Sequence, residues 1–135
     1  MCASVFSEII DCNLPAFIVG QDERIIVFIS LENHPLIVPK KHLRYIFEMD
    51  AETGAAVMAW SVRVAKAMRD ALECDGIYVT QANDAAAGQD VFHYHMHLYP
   101  KWNDGRVMPI DDAARETMAN RLATALRPGA NLEKL

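Results

Sequence analysis

Apolar positions recur first at helical spacing, then in short runs, then at helical spacing again, and this order lays out the elements of the chain. Val5, Phe6, Ile9 and Ile10 stand three and four apart, which predicts a short helix from Val5 to Asp11, closed by Pro15. Ala16 to Gly20 and Arg24 to Ser30 are apolar runs joined by Gln21-Asp22-Glu23, the pattern of two strands and a hairpin turn. Leu36-Ile37-Val38, bounded by Pro35 and Pro39, predicts a third short strand whose ends need no ladder donor. A helix follows from Ala51 to Glu73, with Asp50 as its N-cap. Val57, Trp60, Val64, Met68 and Ala71 or Leu72 form its apolar stripe, while Arg63, Lys66, Asp70 and Glu73 form the solvated face. Gly76 marks the exit, Ile77 to Gln81 a fourth strand and Phe92 to Tyr99 a fifth. A second helix runs from Asp112 to Leu126 and stops at Pro128, leaving a tail, Gly129 to Leu135, with little to bury. The fold class expected is α+β: an antiparallel meander sheet with one long helix on a face and a C-terminal helix.

Composition narrows the setting. The 135 residues suit one domain over 1–135, and 52% hydrophobic with 23% charged residues is an ordinary globular balance. A net charge of −5 argues against a non-specific nucleic-acid binder. No apolar run approaches the roughly 20 residues of a membrane span, and the start lacks the basic-then-apolar pattern of a secretory signal. Cys2, Cys12 and Cys74 make an odd count with no Cys-x-x-Cys pair, as expected of free thiols in a reducing, cytoplasmic compartment.

The strongest chemical signal is His93-Tyr94-His95-Met96-His97-Leu98-Tyr99-Pro100. On an extended chain His93, His95 and His97 share one face, and Phe92, Tyr94, Met96 and Leu98 the other. The apolar side can be buried while a row of imidazoles, able to act as nucleophile, proton donor or ligand near neutrality, faces a cleft. The small, polar segment Asn83 to Gln89 precedes the row and lets a backbone approach a ligand closely. Asn83 and Gln89 offer amide hydrogens to phosphate oxygens. The other two histidines, His34 and His42, flank a strand with Lys40 and Lys41, so a shared cleft would be rich in imidazole, partly cationic and suited to an anion.

These residues resemble the histidine triad, or HIT, superfamily of nucleotide hydrolases and transferases, in its bacterial form. The signature His-φ-His-φ-His-φ-φ, with φ apolar, fits His93 to Tyr99 without a gap. Ala87-Gly88-Gln89 resembles the family's small-Gly-Gln segment, and Leu36 to His42 its Leu-Val-Ile-Pro-Lys-x-His strand. Phe6 to Pro15 is similar to its opening, so the resemblance spans about residues 4 to 107. It implies a HIT-like fold and a covalent nucleotidyl-histidine on His95. His97 would contact the phosphate and assist the leaving group, and His93 would brace the row. His34 would lie close to the triad. The substrate implied is a purine nucleotide, either a nucleoside phosphoramidate or a dinucleoside polyphosphate, with no cofactor.

Departures from the family pattern bear on the chemistry. Zinc-containing relatives carry Cys-x-x-Cys in the opening helix; aligned on Pro15 those positions are Ser4 and Ser7, which with His42 and His93 make a poor zinc site. No structural zinc is expected. The loop from Leu31 to His34 is short, and Ser30 or Glu32 stands near where an acidic or amide residue holds the ribose. Asp90 occupies a position that is often Ser or Thr, and Ala85 one that is often Gly. Two rivals remain at this point. One is a metal-dependent hydrolase using a His-x-His pair, although His93 and His97 would stand about 13 Å apart along a strand at ~3.3 Å per residue. The other is a non-catalytic nucleotide-binding protein on the same fold. The first half of the long helix, with Ala55, Val57, Met58, Ala59, Trp60 and Val62, is apolar nearly all round. It calls for a second apolar neighbour: a two-fold copy of the chain, as the family implies, or the C-terminal helix with Met118, Leu122, Ala125 and Leu126. The homodimer is the expectation.

Overall fold

The structure, a computed structural model, describes residues 4–126. Its strands are β1 Ile18–Gln21, β2 Ile25–Ile29, β3 Pro35–Pro39, β4 Gly76–Thr80 and β5 Met96–Lys101. They form one antiparallel sheet in the order β1-β2-β3-β5-β4. The β1–β2 hairpin turns at Asp22, whose Oδ1 accepts the N–H groups of Arg24 and Ile25, each at 2.9 Å. β2 is buried at every position because both of its faces are covered. Ile25, Val27 and Ile29 join the larger core cluster, while Ile26 and Phe28 join a second cluster on the opposite face. β3 divides in the same way, with Ile37 on one side and Leu36 and Val38 on the other.

The larger cluster lies between the sheet and two helices. α2, Ala51–Leu72, starts at Asp50, whose carboxylate accepts the Thr53 N–H at 2.8 Å, and ends at Glu73 in the left-handed region. It buries Val57, Trp60, Val64, Met68 and Leu72, the stripe read from the sequence. α3, Asp112–Leu126, packs on α2 and buries Met118, Ala119 and Leu122. The C-terminal helix thus covers part of α2. Ala55, Met58, Ala59 and Val62 stay outside, Met58 56% and Val62 45% exposed. The smaller cluster lies under α1, Val5–Ile10, which packs Phe6 against the sheet and is capped by Ser4.

The fifth strand differs from the pattern expected for Phe92 to Tyr99. Its ladder begins only at Met96, and it meets β3 at two positions, Leu36–His97 and Ile37–Met96. Continued in that register, Tyr94 would oppose Pro39, which has no N–H to donate. Tyr94 instead donates its N–H to the Leu43 carbonyl at 2.6 Å, and the His93 ring takes the Pro39 carbonyl. The side-chain alternation survives without the ladder: Tyr94, Met96 and Leu98 pack in the larger cluster, and the histidines face the α1 side. Phe92 does not join that core; it lies half-buried under the Arg44 guanidinium, 4.6 Å from its ring centroid. Cys2, Pro128 and the tail from Gly129 to Leu135 lie outside the described residues.

Candidate active site

The three histidines are held by carbonyls and by one another. His93, fully buried, donates from Nε2 to Pro39 O at 2.7 Å. His95 donates from Nδ1 to the carbonyl of His93 at 2.8 Å, which leaves the lone pair of Nε2 as its reactive nitrogen. His97, on β5 opposite Leu36, has Nδ1 2.9 Å from Nε2 of His34. His34 is 1% exposed, and its Nδ1 lies 3.0 Å from the Ser30 hydroxyl. Phe6 meets the His95 ring edge-on at 4.9 Å and walls it from solvent. Burial holds His93, His95 and His97 below the ordinary histidine value, and it pushes His34, beside His97 and His95, down to about 3. All four rings are therefore neutral at neutral pH.

His95 and His97 line a cavity of about 480 Å³, a size that takes a small organic ligand. Its apolar wall includes Val5, Phe6, Ile9, Leu14, Phe28 and Leu36, and its polar lining Ser30, Glu32, Asp90 and Arg115. Glu32 accepts the Tyr99 hydroxyl at 3.2 Å. Arg115 reaches in from α3, donating from Nε to Ser30 O at 2.9 Å and pairing with Asp112 at 3.2 Å. An apolar slot lined by two neutral imidazoles suits a flat ring carrying an electrophilic, anionic group.

The structure brings His93, His95, His97, His34, Ser30 and Glu32 together, but two expected phosphate donors face elsewhere. Asn83 gives its amide to the Gln81 side chain and accepts the Ile46 N–H at 2.8 Å. Gln89 is buried; its Nε2 donates to the Arg44 and Val91 carbonyls, and its Oε1 accepts the Asp84 N–H at 2.6 Å. Both amides brace the loop ahead of the triad, because buried amides are satisfied first by nearby backbone. Gln89 also steadies Asp84 at φ 75°, so the glycine-like conformation falls at Asp84, whereas Ala85 lies in an ordinary 3-10 turn. Ser30 does not offer its hydroxyl to a ribose, since His34 and two backbone groups occupy it. Neither Lys40 nor Lys41 lines the cavity; Lys41 pairs with Asp50 at 2.9 Å. The charges there are Glu32, Asp90 and Arg115. The sequence reading missed Arg115 and the apolar wall from α1, since one arginine on an amphipathic helix carries no signal of its own.

The four positions of the zinc pattern do meet. Ser4 Oγ lies 3.2 Å from Ser7 Oγ and 3.5 Å from Nδ1 of His93, whose ring meets His42 edge-on at 5.0 Å. They do not fit zinc: two hydroxyls replace thiolates, and one of them already caps α1.

Comparison with known proteins agrees with this geometry. The HIT domain pattern matches residues 12–104. The chain is 32% identical over 105 residues to Protein hit of Bacillus subtilis, covering 75% of this chain and 72% of that protein. It is 31% identical to the adenosine 5'-monophosphoramidase of Saccharomyces cerevisiae, with 89% of this chain and 76% of the yeast protein covered. Among solved structures, a zinc-bound histidine triad family protein from Mycobacterium smegmatis superposes with a TM-score of 0.84 at 30% identity, over 98% of this chain and 96% of that one. Domain match, relatives and superposition agree with the histidine row and its cavity, and the chain belongs to the HIT domain family.

Proposed function

We propose that this protein is a nucleotide hydrolase that cleaves at the α-phosphate of a nucleoside phosphoramidate or dinucleoside polyphosphate through a nucleotidyl-histidine on His95. The observation that carries the reading is the bond from Nδ1 of His95 to the His93 carbonyl, which leaves a neutral Nε2 lone pair on a ring that lines the cavity. That nitrogen forms an N–P bond as the bond from phosphorus to the leaving group breaks; the leaving atom takes a proton from water, leaving hydroxide, and is held by a hydrogen bond from the Nε2–H of His97. A second water molecule then attacks phosphorus, the N–P bond breaks, the nucleoside monophosphate leaves and the attacking water's proton goes to that hydroxide. The apolar slot accommodates the base, which we take to be a purine. Glu32 is the group placed to meet the ribose hydroxyls. The yeast relative is named for adenosine 5'-monophosphoramidase activity, and adenosine 5'-phosphoramidate is accordingly the first substrate to try. The metal-dependent alternative is disfavoured because no group of three His, Cys, Asp or Glu side chains among the described residues is placed to hold one ion.

His95→Asn tests the assignment. It should bind the nucleotide product as wild type does and lose nearly all turnover, while wild type quenched during turnover should carry a nucleotidyl adduct on His95. His97→Ala should slow the reaction by about 100-fold. Turnover at a tenth of the wild-type rate in His95→Asn would overturn the nucleophile.

A further inference from the structure

We propose that Ser30 is a positioning residue that fixes the protons of His34 and His97, so that His97 faces the cavity as a hydrogen-bond donor. The Ser30 oxygen accepts the N–H of Glu32 and the N–H of His34, each at 3.2 Å. A hydroxyl oxygen has two lone pairs and one hydrogen. Both lone pairs are engaged, so the hydrogen is what Ser30 presents to Nδ1 of His34, 3.0 Å away. His34 must then accept at Nδ1 and carry its single hydrogen on Nε2, since a neutral imidazole has one donor and one acceptor nitrogen. Nε2 of His34 lies 2.9 Å from Nδ1 of His97 and donates to it. His97 in turn carries its hydrogen on Nε2, the nitrogen remote from His34, in the ring that lines the cavity.

The neighbouring ring has the opposite arrangement. The His93 carbonyl can only accept, so His95 carries its hydrogen on Nδ1 and leaves Nε2 bare. Two adjacent imidazoles, with centroids 4.9 Å apart, thus present a lone pair and an N–H side by side. The charged and titratable groups around His97 are His34, His95, Glu32, Tyr99 and Asp90, with Lys101 acting on His34. The burial that keeps His34 neutral is what allows a single hydrogen to define the chain. The proton placement follows from these distances and from the burial that keeps the rings neutral. Its catalytic consequence rests on the function proposed above.

The test reads the protons directly. Two-bond proton–nitrogen spectra of the full chain, with nitrogen-15 in its histidines and at about pH 8, distinguish the two imidazole tautomers. His34 and His97 should both show a protonated Nε2 and a bare Nδ1, and His95 the reverse; a protonated Nδ1 on His97 in wild type would overturn the proposal. Ser30→Ala should admit the Nδ1-protonated form of His97, and Ser30→Thr, which keeps a hydroxyl, should restore the single form. An Ala variant with wild-type tautomers at both rings would also overturn it. In turnover, Ser30→Ala should lower kcat on a nucleoside phosphoramidate, whose amine must be protonated, at least tenfold more than on a nucleoside nitrophenyl phosphate, whose anion leaves unaided. KM should change little. Equal slowing of the two would reject the positioning role. If wild type turns over neither compound, the hydrolase reading fails while the tautomer result still decides this one.

Discussion

At the scale of single residues, the departures from the family pattern carry the most information. Asp90 lines the cavity beside His95 and His97 and favours protonation of both. Its carboxylate repels a polyphosphate leaving group: one unit charge at ~6 Å, with an effective dielectric of ~60, is worth about 1 kcal/mol, or roughly fivefold. Asp90→Ser should therefore raise kcat/KM for diadenosine tetraphosphate by about fivefold relative to adenosine 5'-phosphoramidate; an unchanged ratio would show that the carboxylate does not face the leaving group. Acid stability has a residue-scale origin as well. His34, His93, His95 and His97 all bind a proton less readily in the fold than when exposed, because burial opposes the charge. Below the ordinary value of 6.5 the unfolded chain takes up protons that the native rings refuse until lower pH, about 3 for His34. Their contribution is complete above pH 6.5 and is lost as pH falls through that window, with His34 alone worth roughly 3 kcal/mol between pH 6.5 and pH 4. Urea midpoints measured from pH 7 down to pH 4 should decline less steeply for His34→Gln than for wild type; parallel slopes would remove His34 from the account. The histidines themselves were legible in the sequence as a period-two row. Their holders were not, because the carbonyls of Pro39 and His93 belong to the backbone and carry no residue signature. Asn83 and Gln89 misled for a related reason: an amide beside a site looks like a ligand donor until its backbone partners are visible.

At the scale of elements, periodicity located the helices and the first four strands, and failed at β5 for a definable reason. An alternating pattern reports side-chain direction, whereas a ladder also needs a partner, and Pro39 ends the partner one residue short of the position opposite His93. Removing the ladder is what frees the His93 carbonyl to accept from His95. The short helix α1 was also legible, but its role as cavity wall was not, since nothing in Val5 to Ile10 says which sheet face it covers. Phe6 joins that helix to the chemistry, packing on Phe28 at 5.3 Å and on His95. Phe6→Ala should cost about 3 kcal/mol through the lost ring and the void it leaves. It should also raise the His95 value towards 6.5, because the desolvation that depresses it is relieved. Denaturant unfolding reads the first effect and nitrogen shifts of His95 against pH read the second. Loss of stability with no change at His95 would mean that the phenyl ring supports the fold and leaves the nucleophile's environment to other residues.

At the scale of the whole molecule, the sheet is covered unevenly. β2 and β3 are buried throughout, whereas β4 lies at the sheet edge with Tyr78 and Val79 about half exposed. On α2 the same asymmetry recurs, because α3 covers the Trp60 side and leaves Ala55, Met58, Ala59 and Val62 in the open. The intrachain helix therefore meets only part of the demand that the apolar pattern of α2 creates. Open ladder groups on β4 and an open apolar stripe on α2 are what a two-fold copy would use twice, once from each chain. We propose a homodimer through this face. Light scattering at micromolar concentration should give about 30 kDa, twice the 15.1 kDa of one chain. Met58→Glu with Val62→Lys, both on the exposed stripe, should shift the mass to one chain without unfolding it, because neither side chain is buried in the core. A wild-type species of one chain's mass would reject the dimer, and a variant that stays dimeric would move the interface away from α2.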